Sequence, residues 1–593
     1  MRTRDLTAFA RGRSLHTRSD RRNGLKGDSP GSSDKYKINS GRRKAERDDK
    51  ESCKVASSKQ TASSIVMETL NEWEEKNQKI RNLMKILSDP LYLVKCYEEI
   101  KSIPENMTKG IQPETLYRLS LGWFEKTANL LKQNLFEFSS SRRVVEIPRP
   151  NSTKTRPLTI ASFSAKNLHL PFFFYPVVGG ILGKGGKGDA SPRDKIVQKA
   201  VQVILQAIWD KKFLDYSHGF RPNRSVHTAL KSIYLKGQTY NWVVQGDISQ
   251  CFDRIPHSIV INCLKEAIAD TAFLNLIERF LTGGHIYPNS GRLIHSEEFG
   301  VPPGGVLSPI LCNIVLHKFD EFMANYISSF EKGNKRLKDT EDQKIQYLRI
   351  TAKTQKDKLK YLQQKGRYLM GERPSATPDF KRMMYVRYAY DLIILVIGSK
   401  DDAILAKVRA KDVLKRLCGG ELNEEKTLVT HMGEGFHFLG AEIRKLRNNT
   451  SFVGTTGIGG EGRVFTPRLL MNPPLTKLLA HLVKAGMLKP NGQGEYIPIS
   501  CNKLTNLCHY YIVSYYNFKI NGIVHFYSFA SNYSRLASIF LYLRLSCALT
   551  LARKNKLRTA RQAFIQFGSF LEDPETGIKI IKPKTMKVTH NFQ

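Results

Sequence analysis

Residues 241–253 read NWVVQGDISQCFD and residues 385–397 read YVRYAYDLIILVI. The first is an apolar run that ends on Asp247. The second is two apolar runs around a short tip, Tyr388-Ala389-Tyr390-Asp391. Short apolar runs rich in β-branched residues and bounded by polar ones read as buried strands. The spacing therefore predicts a strand over 241–248 and a strand pair over 385–397. A hairpin tip carrying Asp391 beside a strand ending on Asp247 brings two carboxylates together. Converging carboxylates are what a hard cation such as Mg2+ needs. Two such ions about 3.5–4 Å apart stabilise both oxygens of an in-line phosphoryl transfer. Phe252 follows soon after Asp247, where a ring could wall a nucleotide sugar. Each piece alone also fits an ordinary turn, because Asp is a common turn former.

Further pieces flank this centre. His218-Gly219-Phe220-Arg221-Pro222-Asn223-Arg224-Ser225 is a basic loop opening a helix. In Val301-Pro302-Pro303-Gly304-Gly305-Val306-Leu307-Ser308-Pro309, Gly304 and Gly305 let backbone approach a ligand before a helix starts near Pro309. Lys426 lies in LNEEKT, ahead of Phe438-Leu439-Gly440, and could donate a proton to a leaving group. Periodicity predicts helices from about Ser63 to Phe138, over 194–210 and over 224–236. Residues 144–160 read as β broken by prolines, and 474–568 as mostly helical, aromatic and basic. Residues 163–189 are apolar, then glycine-rich, and an Ala-Ser pair stands at each end. They read as an insertion. Their GKGGKG run lacks the frame of a P-loop.

Composition narrows the function. The 593 residues are 41% hydrophobic, which excludes a wholly disordered chain, and the length suggests about four domains. Lys and Arg number 93 against 54 Asp and Glu, a net charge of 93 − 54 = +39. The pI is near 9.8. Such a charge favours a polyanionic partner, with an anionic membrane surface as the competing reading. Mean hydropathy is −0.36, and no run of roughly 20 apolar residues occurs, so no membrane partner is expected. The nine cysteines are scattered and none form C-x-x-C. That argues against a disulfide framework and a zinc ribbon and suits a reducing compartment. Residues 1–60 are too polar to fold alone. The first 25 are Arg- and Ser-rich, as in a transit segment or a plain basic tail.

In this order along one chain, the pieces resemble the reverse transcriptase–maturase proteins of group II introns. HGFRPNRSVHTAL, DISQCFDRIPH, GGVLSPILCNIVLHKFD and EKTLVTH with FHFLGAEI are similar to that family's fingers and palm blocks. SRLASIFLYLRLSCALTLARK followed by FIQFG resembles its maturase domain, domain X. The resemblance runs from about Leu70 to Gly568. It implies an α+β fold: right-hand reverse-transcriptase fingers and palm, then an α-helical thumb and domain X. The layout expected is a basic N-terminus at 1–60, a helical extension at 61–143, fingers at 144–236 and palm at 237–445. Thumb and domain X would occupy 446–570, with a basic tail at 571–593.

The resemblance also assigns roles. Asp247 and Asp391 would hold Mg2+, Phe252 would select the sugar, and Lys426 would be the late-palm lysine. Lys154, Arg156 and Arg221 would sit near incoming phosphates, with Arg224, Gly304 and Gly305 on the same nucleic-acid path. Arg535, Arg544, Arg553, Lys554, Lys556, Arg558 and Arg561 would face RNA phosphates. The aromatics of 510–529 just before them would be mostly core, with some stacking on unpaired bases.

Two departures stand out. The family's loop is Tyr-Ala-Asp-Asp, whereas here the first aspartate position is Tyr390. A neutral phenol is a poor substitute for an anionic ligand. Pro303 stands where the family usually has Gln, and it removes a backbone donor. The expected function is therefore a maturase that binds group II intron RNA and promotes its splicing in the mitochondrial matrix rather than a plastid. The alternative is an active RNA-directed DNA polymerase, with DNA as a further partner. A decaying reading frame is a third reading, supported by residues 163–189 and opposed by the intact domain X. No Cys-pair and His-rich segment like an HNH endonuclease follows domain X, so mobility by DNA cleavage is expected to be lost or supplied elsewhere.

Overall fold

A computed structural model of the chain describes residues 61–74, 79–101, 119–138, 142–148, 155–159, 192–249, 251–283, 285–286, 293–294, 298–301, 305–333, 380–445, 451–455, 461–465, 469–492 and 494–583, with scattered positions elsewhere. The suspected insertion at 163–189 and the basic N-terminus at 1–60 lie outside these residues, as do Lys154, Pro303 and Gly304.

The chain opens with α1 (Ala62–Glu74), α2 (Leu83–Leu87), α3 (Pro90–Lys101) and α4 (Leu121–Lys132). Strands β1 (Arg142–Pro148) and β2 (Thr155–Thr159) follow, then α5 (Pro192–Trp209) and α6 (Val226–Lys236). Next come β3 (Trp242–Ser249), α7 (Cys251–Arg254), α8 (His257–Lys265), α9 (Thr271–Thr282), β4 (His285–Ile286), β5 (Leu293–Ile294) and the long α10 (Ser308–Phe330). The hairpin is β6 (Arg382–Tyr388) and β7 (Asp391–Ile397), followed by α11 (Lys400–Cys418), β8 (Glu421–Leu422), β9 (Val429–His431), β10 (Phe436–Phe438) and β11 (Ala441–Lys445). The C-terminal part holds β12 (Ser451–Thr455), β13 (Glu461–Phe465), β14 (Leu469–Asn472), α12 (Leu475–Lys484), β15 (Leu488–Pro490), β16 (Tyr496–Pro498), α13 (His509–Phe526), α14 (Leu536–Lys554) and α15 (Ala560–Phe567).

The central sheet has the order β6-β7-β3-β8, and β9 also pairs with β3. All these pairings are antiparallel. The sheet is buried on both faces, which is why β7 reads as an unbroken apolar run. Alternation divides its side chains between two cores. Leu392, Ile394 and Val396 join Met383 and Tyr385 of β6 in the core under α5, α10 and α11. Ile393 and Leu395 join Met384 and Val386 in the core beneath α6, α13 and α14. Each fully buried side chain of this size contributes roughly 2 kcal/mol.

A second sheet, ordered β2-β1-β4-β5, joins the strands of 142–159 to those of 285–294. The N-terminal helices pack on α5, where the buried Tyr92 hydroxyl donates to the Ala200 carbonyl at 2.7 Å. A third sheet joins β10, β11 and β14, so the boundary expected at 445/446 falls between strands of one sheet. The expected helical run over 474–568 is interrupted by the β15–β16 hairpin. Those strands are too short to show any alternation. Residues 533–554 form the one described helix long and apolar enough to cross a membrane, and more than half of its most apolar stretch is buried inside the protein.

Candidate functional site

The antiparallel register of β3 and β7 sets Asp247 directly opposite Asp391. Tyr388 pairs with Asp391, so Ala389 and Tyr390 form a two-residue tip. Ala389 adopts the left-handed conformation, φ 56°, which two-residue hairpins demand. Tyr390 is 38% exposed at the end of the tip, and its carbonyl accepts from the Ile248 amide at 3.0 Å. Lys426 reaches in from the loop between β8 and β9, and its Nζ lies 2.5 Å from Asp247 Oδ2. Asn423 anchors that loop. Its amide donates to the Asp247 carbonyl at 2.8 Å, and its side chain accepts from the Lys426 amide at 3.3 Å.

Burial, and then the Asp247 charge across the strand, push the Asp391 carboxyl up to about 7; Lys426 opposes them. Two carboxylates that repel across one strand pair form a site that a cation would relieve. The donor set suits one hard divalent ion shared by Asp247 and Asp391. It does not suit two, because the next position on the tip offers a phenol. Among the described residues, no cluster of three or more His, Cys, Asp or Glu stands close enough to bind a metal.

The tip is held from below by a network that sequence reasoning missed. Arg387, fully buried, pairs with the equally buried Asp320: its Nε and Nη2 lie 2.8 and 2.6 Å from the two carboxylate oxygens. Its Nη1 donates to the Ala389 carbonyl at 3.0 Å and to Asn313 Oδ1 at 2.9 Å. Its Nη2 also donates to Ser217 Oγ at 2.8 Å. Tyr385 donates its hydroxyl to Asp320 at 2.9 Å, and Asn313 donates to the Gly219 carbonyl at 2.8 Å. Gly219 lies against the tip, and a Cβ there would stand 2.4 Å from the Ala389 nitrogen. The signal was available. An arginine interrupts an apolar strand, and Asn313 and Asp320 share one face of an apolar helix, seven residues apart.

The other expected site residues divide. Phe252 is half-buried against the core, and its carbonyl accepts from the Val301 amide at 2.6 Å. That contact ties Val301 to α7, the short helix just after the aspartate strand. Arg221 needs correction as a phosphate contact. It is buried, and its guanidinium donates to Asp210 and to the carbonyls of Asp210, Leu214 and Ser217 at 2.8 to 3.1 Å. Those four bonds use four of the five guanidinium N–H donors and fix the loop. Arg224 pairs with the exposed Asp215 at 2.5 Å. At Gly305 a Cβ would stand 2.8 Å from Phe280 Cζ and from Ser308 Oγ, so close packing also calls for glycine there. Arg156 is on β2.

On the C-terminal helices, Arg535, Arg553, Lys554, Lys556 and Arg558 are exposed or partly so. Arg553 donates to Asn502 Oδ1 at 2.8 Å and Lys554 to the Leu507 carbonyl at 2.8 Å. Of the aromatics, Tyr516, Phe526, Tyr527 and Phe529 are core, whereas Tyr510, Tyr511 and Phe518 are exposed.

Comparison with known proteins places these features. Residues 189–443 match the reverse transcriptase (RNA-dependent DNA polymerase) family and residues 466–593 the type II intron maturase family. The COX1/OXI3 intron 1 protein of Saccharomyces cerevisiae is 32% identical over 515 residues, covering 85% of this chain and 56% of that protein. The group II intron-encoded protein LtrA of Lactococcus lactis is 30% identical over 499 residues, covering 82% of this chain and 77% of LtrA. The nuclear intron maturase 1, mitochondrial, of Arabidopsis thaliana is 22% identical over 433 residues, covering 63% of this chain and 57% of that protein. The chain spans little more than half the length of the yeast relative. With a reverse-transcriptase segment and a maturase segment in succession, the chain belongs to the group II intron reverse transcriptase–maturase family.

Proposed function

We propose that this chain is a maturase that binds group II intron RNA and promotes its splicing, and that its polymerase site is degenerate. One observation carries the second half: the exposed end of the β6–β7 tip presents Tyr390 beside the Asp247–Asp391 pair, where the family presents a carboxylate. Losing one anionic ligand costs several kcal/mol of transition-state stabilisation in two-ion phosphoryl transfer. The net charge of +39 supports the first half, since a polycation gains affinity by releasing counterions from RNA. The RNA performs the transesterification. The protein favours one RNA conformation by binding it more tightly than the others. If Mg2+ binds the protein, Asp247 and Asp391 hold it, and it would polarise a phosphate oxygen. Lys426 then screens Asp247 and orients a departing phosphate. A mitochondrial matrix location accords with the Arg- and Ser-rich first residues and with the relative named as mitochondrial.

A second reading, an active RNA-directed DNA polymerase, is favoured by the direct apposition of Asp247 and Asp391. Two assays on one preparation separate them. Splicing of a group II intron precursor should accelerate with parent protein and equally with Asp247→Ala. Primer extension on an RNA template with dNTPs and Mg2+ should not exceed that of Asp247→Ala. Extension that disappears in the variant would establish the polymerase. A splicing collapse in folded Asp247→Ala would show that the palm site serves the intron.

A further inference from the structure

Helices α14 and α15 enclose an open groove of about 440 Å³, lined by Arg544 and Leu545 on one side and by Arg561, Phe564 and Ile565 on the other. Clefts of about 300–1,000 Å³ accommodate small ligands and single residues of larger ones. Arg544 lies 5.0 Å from the Phe564 ring centroid. It donates through Nη2 to the Ser569 carbonyl at 2.6 Å. Its Nε is buried and has no partner among the described residues. Ile565 is 75% exposed, and Leu541, one turn before Leu545, is 52% exposed. Arg561 is exposed. The groove thus combines a cation–aromatic pair, bare apolar side chains and an outer arginine.

Charge selects the occupant. From Tyr496 to Leu571 the chain contains no Asp or Glu, yet it carries Lys503, Lys519, Arg535, Arg544, Arg553, Lys554, Lys556, Arg558 and Arg561. A peptide ligand would find apolar contact there but no acid to pair its own cations. An unpaired nucleotide satisfies every feature. Its base is flat and apolar on its faces and stacks on guanidinium planes and aromatic rings. Its phosphate takes Arg561. A base inside a duplex cannot enter, because its faces are already covered.

We infer that the α14–α15 groove binds one unpaired RNA nucleotide, the base against the Arg544–Phe564 pair and Ile565 and the phosphate on Arg561. This inference rests on the RNA-binding reading above and adds to it the form of RNA and the place. The test uses the full chain with a labelled oligouridine, which cannot pair, and a blunt RNA duplex of equal length. Binding is followed by fluorescence anisotropy across a salt series. Arg561→Gln and Ile565→Glu are both at exposed positions, so thermal melting should match the parent. The double variant should bind oligouridine about tenfold more weakly and lose about one unit of log–log salt slope, with duplex affinity unchanged. A 4-thiouridine oligomer should cross-link within residues 541–569 of the parent. Unchanged oligouridine binding in the variant, or an equal loss on the duplex, overturns the groove assignment while leaving the maturase reading intact. Failure of the parent chain to bind either RNA overturns both. Cross-links confined to other segments place the nucleotide elsewhere and also overturn it.

Discussion

Asp391 lies opposite a second carboxylate on the central sheet, and its raised pKa has a consequence for stability. Its ordinary value is 3.8 and its folded value about 7. The folded state therefore holds a proton that the unfolded chain has released between pH 4 and pH 7. Stability contributed by that proton is fully present below pH 4 and is lost as pH rises through 7. The difference converts to at most about 4 kcal/mol; water reaching the half-buried carboxyl lowers it, and about 2 kcal/mol is the expected size. Asp391→Asn should match the parent in denaturant unfolding at pH 4 and exceed it by that amount at pH 8, both without divalent ions. Equal stabilities at pH 8 would show that neither burial nor the Asp247 charge raises the Asp391 carboxyl. At the neighbouring position, Tyr390→Asp adds a third anion to the tip. Its melting temperature should fall without Mg2+ and recover by several degrees with it, while the parent responds less. A variant indifferent to Mg2+ would mean that position 390 is not a ligand position. Recovered primer extension would go further and show that this one residue silences the polymerase.

At the scale of elements, the hairpin stands on the Arg387–Asp320 pair. Asp320→Asn would leave a buried guanidinium without its counterion, a loss of about 3–5 kcal/mol. Denaturant unfolding should show that drop, and the paired change Arg387→Met with Asp320→Leu should recover most of it, since apolar replacement of both partners removes the uncompensated charge. The double variant would still lack the donor that fixes the Ala389 carbonyl. Gly219→Ala is expected to disturb the same tip from the other side, because its Cβ would meet backbone that cannot rotate away. Much of this architecture was legible in sequence. The strands expected over 241–248 and 385–397 announced themselves by their apolar runs, and their end residues gave the carboxylate pair. The internal contacts of Arg221 and Gly305 were not legible. A basic residue in a loop and a glycine before a helix look the same whether they face a ligand or the protein's own interior. Only tertiary contacts distinguish them, and here Asp210 and Phe280 supply those contacts. The partner of Lys426 was equally hidden, since Asp247 is 179 residues away in sequence.

Across the whole molecule, one sheet serves two cores. The face carrying Leu392, Ile394 and Val396 belongs to the palm, and the face carrying Ile393 and Leu395 supports the C-terminal helices. The basic, acid-free stretch from 496 to 571 is thereby fixed to the same strands that carry Asp391, so its positive charge persists if the polymerase chemistry is lost. Its contribution can be measured against salt. Arg553 and Lys554 each make an internal hydrogen bond, to Asn502 and to the Leu507 carbonyl, yet no acid neutralises either in this stretch. Both remain available as counterion-releasing charges. If each meets one phosphate, the double change to Ala should reduce the log–log slope of RNA affinity against salt by about two and weaken binding most at low salt. Loss of the two internal bonds should cost only about 1–2 kcal/mol of stability, so the variant should stay folded and the slope can be read cleanly. A parallel downward shift of the salt line, with its slope unchanged, would mean that these cations support the helix and that the phosphates are met elsewhere.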